Sequence, residues 1–198
     1  SALNNLGLLL VYQGFYDAAE PLYERALAIY EKALGPEHSD VASSLLGLAL
    51  VLDYQKSYAE ARPLYERALG ILEKTFGPEH REVANVLHNL ACLLKEQGSY
   101  AEAHPLHERS LAIWEKSLGP EHPEVASSLN NIAGLLEAQG AYAEARPLYE
   151  RALAIRESSL GAEHPHVALS LNNLAILLEI QGSYAEARPF YERGLETT

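Results

Sequence analysis

Histidines stand at His38, His80, His122 and His164, each 42 residues after the last. Tyr16, Tyr58, Tyr100, Tyr142 and Tyr184 keep the same step, and so do Pro21, Pro63, Pro105, Pro147 and Pro189. Val125–Ala152 laid on Val167–Gly194 agrees at 21 of 28 positions. The 198 residues are therefore about 4.7 copies of one 42-residue unit. A period between about 20 and 50 residues is the mark of a repeat array, in which one unit cannot bury its apolar face alone and must stack on its neighbours. The expected organisation is a single repeat domain over 1–198: a partial unit 1–40, then 41–82, 83–124 and 125–166, then a partial unit 167–198. Ser1 falls inside an expected helix, Thr198 falls inside another, and residue 1 is not Met, so the chain reads as a segment of a longer one.

Each unit reads as two helices. Leu129, Ile132, Ala133 and Leu136 fall at i, i+3, i+4 and i+7, as do Leu45, Leu48, Ala49 and Leu52, and Leu87, Leu90, Ala91 and Leu94. That spacing is one apolar stripe on an amphipathic helix. Gln139-Gly140-Ala141 breaks the pattern, with glycine suited to a left-handed helix end. The second helix opens at Tyr142 and turns Ala145, Leu148, Tyr149, Ala152 and Ile155 inward. Ser57, Ser99 and Ser183, each three residues before a Glu, read as capping boxes. The Leu118–Pro123 segment closes the unit; its Gly119 ends one helix and its Pro123 suits the first turn of the next. The loop histidines read as packing or capping groups. Tyr30 and Trp114 stand where other units have Leu72 and Arg156, a place for a lateral contact if exposed and for packing if buried. No alternating pattern marks a strand, so the expected fold is all-α.

Charge and composition narrow the function. Lys and Arg total 15 against 27 Asp and Glu, a net −12. Nucleic-acid binders gain their affinity from clustered Lys and Arg, so the chain reads as no such binder. The same acidity opposes docking on an anionic membrane surface. The longest apolar runs, Leu6–Tyr12 and Leu46–Leu52, fall far short of the ~18 residues of a membrane span. Cys92 is the lone cysteine, which excludes an internal disulfide and fits a reduced, cytoplasmic setting.

The run Leu129–Leu136, followed by Gln139-Gly140, Tyr142-Ala143-Glu144-Ala145 and Pro147–Leu153, resembles a tetratricopeptide repeat. The unit is about eight residues longer than the usual repeat of about 34. Its length and its Gly-Pro-Glu-His-Pro loop are similar to those of the kinesin light chain repeats, and the resemblance covers the whole chain. It implies a right-handed superhelical solenoid of antiparallel helix pairs, with first helices lining a concave groove. It also implies a protein-interaction scaffold that binds a partner's peptide segment, with no catalysis and no cofactor. A second reading from another class makes the repeats the ligand-sensing arm of a multidomain signalling ATPase or protease. Open solenoid ends leave room for self-association.

On that geometry the groove residues follow from helical spacing. They are Asn5; Leu46, Asp53 and Tyr54; Asn85, His88, Asn89, Cys92 and Lys95; Asn130, Asn131 and Glu137; and Asn172 and Asn173. In related peptide-binding repeats the asparagine matching Asn5, Asn89, Asn131 and Asn173 pairs with the ligand backbone, as an amide that donates and accepts at once can do. Gly47 departs from that ladder. Lys and Arg are missing from the positions where chaperone-tail binders clamp a carboxylate. The groove charges are mostly acidic (Asp53, Glu96, Glu137 and Glu179 against Lys95), which favours a neutral or basic protein or peptide ligand. Arg25, Arg67, Arg109, Arg151 and Arg193 read as outer-side partners of Glu. His104 and His107 are three apart on one helix but are Arg or Glu and Tyr in other units, so they read as packing and no metal site is assigned.

Overall fold

Stripes at helical spacing fold as helices. The computed structural model describes residues 2–196. Ser1 and Thr198, expected inside helices, lie outside the described residues. Among the described residues there are ten helices and no strand. Contacts divide the chain into two compact units, Ser1–Ser99 and Tyr100–Thr198. The division falls between the two helices of repeat 83–124.

The first unit holds α1 (Ala2–Tyr12), α2 (Tyr16–Leu34), α3 (Ser39–Tyr54), α4 (Tyr58–Phe76) and α5 (Arg81–Glu96). Sequential helices pack on one another, and the first helices also touch, α1 on α3 and α3 on α5. Leu45, Leu48, Ala49 and Leu52 are buried, as are Leu87, Leu90, Ala91 and Leu94. From the second helix, Ala61, Tyr65, Ala68 and Ile71 complete this core.

The second unit holds α6 (Tyr100–Leu118), α7 (Pro123–Ala138), α8 (Tyr142–Leu160), α9 (Pro165–Ile180) and α10 (Tyr184–Glu196). Ile132, Ala133 and Leu136 pack with Tyr149, Leu153, Leu171, Leu174 and Leu178 in one cluster. Small Ala alternating with larger Leu and Tyr lets adjacent helices approach closely. No helix among the described residues is long and apolar enough to cross a membrane.

The loop histidines are caps. His38, His80, His122 and His164 each precede a first helix with extended backbone. Each ring Nδ1 accepts the backbone N–H two residues on, at 3.1–3.2 Å. One helix-end donor is satisfied in this way. Upstream, Gly77 holds φ +89 and ψ 158, a conformation essentially reserved for glycine.

The capping box at Ser57 does not form: its side chain makes no cap hydrogen bond. Its ψ of 54° departs from the extended backbone that aims an N-cap oxygen at the helix amides. Instead the Ser57 N–H donates to the Leu52 carbonyl at 2.8 Å, closing the preceding helix.

Trp114 is buried, so it packs and offers no lateral surface; Tyr30 is half-buried. Arg156, in the same register, is buried too, and its Nη1 donates to Ser170 Oγ at 2.7 Å. The arginine register pairs successive second helices. Arg67 meets Glu31 and Arg151 meets Glu115, both at 2.7 Å, and Arg193 meets Glu157. These pairs are largely solvated, so each is worth at most about 1 kcal/mol.

Replacing His122 by Ala removes an N-cap acceptor and is expected to cost about 1 kcal/mol. A thermal or urea midpoint unchanged from wild type would show that the ring nitrogen does not cap.

Candidate functional site

The faces of the first helices not occupied by the apolar stripe carry the predicted groove residues. In the first unit, Asn5 on α1, Tyr54 on α3 and Asn85 on α5 are exposed. Leu46, Asp53, His88, Asn89, Cys92 and Lys95 are half-buried. The packing of α1, α3 and α5 side by side brings these faces together. Asn4 and Ser44 hydrogen-bond at 3.1–3.2 Å across α1 and α3. Cys92 Sγ lies 3.7 Å from His88 Nε2. Burial pushes the Cys92 thiol up to about 11 and lowers the His88 imidazole, so both are held neutral near pH 7.

In the second unit, Asn130, Asn131, Glu137 and Asn173 are half-buried and Asn172 is exposed. Asn173 Nδ2 donates to Asn130 Oδ1 at 2.9 Å, so these two amides already bond each other. Asn172 lines a recess of about 640 Å³ between α9 and α10, with Leu169, Phe190 and Tyr191. Asn5, Asn89 and Asn172 make no side-chain hydrogen bond among the described residues.

Gly47 breaks the asparagine ladder for a packing reason. A Cβ there would lie 2.0 Å from Cε1 of Tyr23, whose ring also abuts Gly7. The position belongs to Tyr23.

A further register links the helices of one repeat. Tyr149 Oη donates to Glu137 Oε2 at 3.0 Å, and Tyr191 Oη donates to Glu179 Oε2 at 2.8 Å. Glu137 is thus occupied by its own repeat. In repeat 41–82 the equivalent pair is Tyr65 and Asp53, one methylene shorter, and no bond forms. The Tyr65 hydroxyl is fully buried with no hydrogen-bond partner among the described residues. Burial, and then the Glu96 carboxylate, push Asp53 up to about 6. Sequence reasoning passed over Tyr65, and also Tyr16, whose ring stacks on that of Tyr54. Asp in place of Glu at a repeated position was the available signal.

Among the described residues no group of three or more His, Cys, Asp or Glu could hold a metal, His104 and His107 included. His107 is buried and His104 pairs with Glu108 at 3.5 Å.

The tetratricopeptide repeat family model matches residues 1–74, 54–116, 94–158 and 124–198, which together span the chain. The chain belongs to the tetratricopeptide repeat family. It is similar to the crystal structure of a kinesin light chain-like protein of nearly identical TPR-like repeats from Podosopora anserina, with 30% identity and a TM-score of 0.84 over 99% of this chain and 93% of that one. It is also similar to BtubC (BKLC) from P. vanneervenii, with 26% identity and a TM-score of 0.87 over 98% of this chain and 78% of that one. RapI shares the fold at 16% identity and a TM-score of 0.74, covering 98% of this chain and 81% of that one. No curated protein sequence matches it at a significant level. Tetratricopeptide repeats are generally non-catalytic scaffolds for protein interaction.

Two substitutions test the local chemistry of these tetratricopeptide repeats. Gly47→Asn drives a side chain into the Tyr23 ring and is expected to cost about 1–3 kcal/mol. Wild-type stability would mean that Tyr23 does not hold that place. Asp53→Glu supplies the missing methylene, should let Tyr65 donate as Tyr149 does, and should raise stability by about 1 kcal/mol. A lower thermal midpoint would contradict this.

Proposed function

We propose that this chain is a non-catalytic scaffold whose first-helix faces bind an extended peptide segment of a protein partner, neutral or basic in charge. The observation that carries the reading is the presence of Asn5 and Asn89 on those faces of the first unit, with side-chain amides that make no hydrogen bond among the described residues. Such an amide donates to a peptide carbonyl and accepts from a peptide N–H. The remaining groove residues support it by shape and polarity: Leu46 and Tyr54 offer apolar contact, and Asp53 and Glu96 offer negative charge. The kinesin light chain-like neighbours support an interaction role by analogy of fold, which is a weaker warrant than the site itself. A reduced, cytoplasmic setting suits a chain whose single thiol is held neutral by burial.

The test compares wild type with Asn5→Ala/Asn89→Ala in a quantitative pull-down from native lysate, with circular dichroism to show that the variant keeps its helices. A partner retained by wild type and lost by the variant is the expected result. Equal recovery by both removes the asparagines from recognition.

A further inference from the structure

Repeat 41–82 departs from its copies at neighbouring places. Asp53 stands where Glu137 and Glu179 stand, and Tyr54 where Ala138 and Ile180 stand. Lys56 takes the left-handed conformation, φ +61, at the position that Gly98, Gly140 and Gly182 hold in other repeats. Asp53 and Tyr54 end α3. The Tyr54 ring, 54% exposed, stacks on Tyr16 of α2 with centroids 4.9 Å apart and planes 16° from parallel. Behind them is the buried Tyr65 hydroxyl, which has no hydrogen-bond partner among the described residues. Asp53, Tyr54 and Cys92 all act electrostatically on that hydroxyl, and Glu96 of α5 acts on Asp53.

The half-buried Asp53 at the end of α3 and the exposed Glu96 at the end of α5, a helix packed on α3, are near enough for one carboxylate to act on the other. Neither the Asp53 nor the Glu96 carboxylate makes an ion pair or side-chain hydrogen bond among the described residues, and Lys95, on the same part of α5, pairs with neither. With Lys95 counted, the place keeps a net negative charge. Its flat aromatic wall suits a planar cation, since a guanidinium stacks on a tyrosine face while its N–H groups reach carboxylates. Three acidic or sulfur ligands at metal spacing are lacking among the described residues, so the chemistry favours an organic cation over a metal ion.

We propose that Asp53, Glu96 and the Tyr54 ring form an anchoring site for a basic side chain, arginine in preference to lysine, in the peptide segment of the partner. This inference rests on the peptide-binding reading above and adds the chemistry of one ligand residue. Each of the repeats carrying Glu137 and Glu179 closes the same place with its own tyrosine hydrogen bond, which is why the anchor occurs in repeat 41–82 and not there.

The experiment selects peptides from a displayed library of random 12-residue sequences on immobilised wild type and, in parallel, on Asp53→Asn/Glu96→Gln. These isosteric changes remove charge at groups without ion pairs, and circular dichroism checks that the helices are kept. Expected is enrichment of Arg at one position on wild type and its loss on the variant. A synthetic arginine peptide so selected should bind wild type roughly tenfold more tightly than its citrulline counterpart, one decade being the scale of a charge-assisted bond. Selected peptides with no basic enrichment, or with enrichment that persists on the variant, overturn the anchor and leave peptide binding standing. No selected peptides on either protein overturns both.

Discussion

No helix pair in this chain can bury its apolar stripe by itself. Each first helix presents Leu and Ala at helical spacing, and covering that stripe takes second helices on both sides, as Leu171, Leu174 and Leu178 of α9 pack with Tyr149 and Leu153 of α8 and with Ala187 of α10. This one requirement orders the rest of each unit. It fixes which face of a first helix is closed, and so which face is left for chemistry. It demands small residues where helices meet, and Ala49, Ala91, Ala133 and Ala175 are all fully buried. It also places the turns, since a helix that overran its partner would expose its stripe. The histidine caps and the glycine turns before them stop and restart the chain at intervals that match the packing.

The polar groups fill what the packing leaves. Within a repeat, a tyrosine hydroxyl from the second helix donates to a glutamate at the end of the first. Between repeats, Arg67–Glu31 and Arg151–Glu115 link successive second helices on the exposed side. Neither contact is strong in water. Their regularity makes departures legible. Asp53 opposite Tyr65 leaves one buried hydroxyl and one half-buried carboxylate without each other, an arrangement that costs stability and is found where the tyrosine pair Tyr16–Tyr54 reaches solvent.

Much of this could be read from the sequence, and for a definite reason. A 42-residue period repeats each physical signal four or five times, so the apolar stripes, the two helices per unit and the glycine breaks stand out from the variation around them. The signals that misled were those in which side-chain direction depends on backbone angle. Ser57 has the right spacing from Glu60 for a capping box, yet its ψ of 54° turns the hydroxyl away. Trp114 was ambiguous because the same register holds Leu72 and Arg156, and a long arginine can be buried only if it finds a partner such as Ser170. The candidate site was legible as a face and not as a set of contacts. Helical geometry names Asn130 and Asn173, but not that they bond each other. It shows Gly47 as a gap, but not that Tyr23 fills it.

The arginine–glutamate pairs carry a consequence for how such a chain grows. Each pair joins residues 36 apart, and each arginine has its copy 42 residues on. A block of 42 residues duplicated or removed in register therefore presents the same arginine to the same glutamate at the new junction. Length can change by whole repeats without any contact having to be invented. The exceptions mark where that freedom ends. Tyr23 needs Gly7 and Gly47 around it. The first repeats are consequently bound in a fixed order, while those carrying Glu137 and Glu179 are close to interchangeable modules.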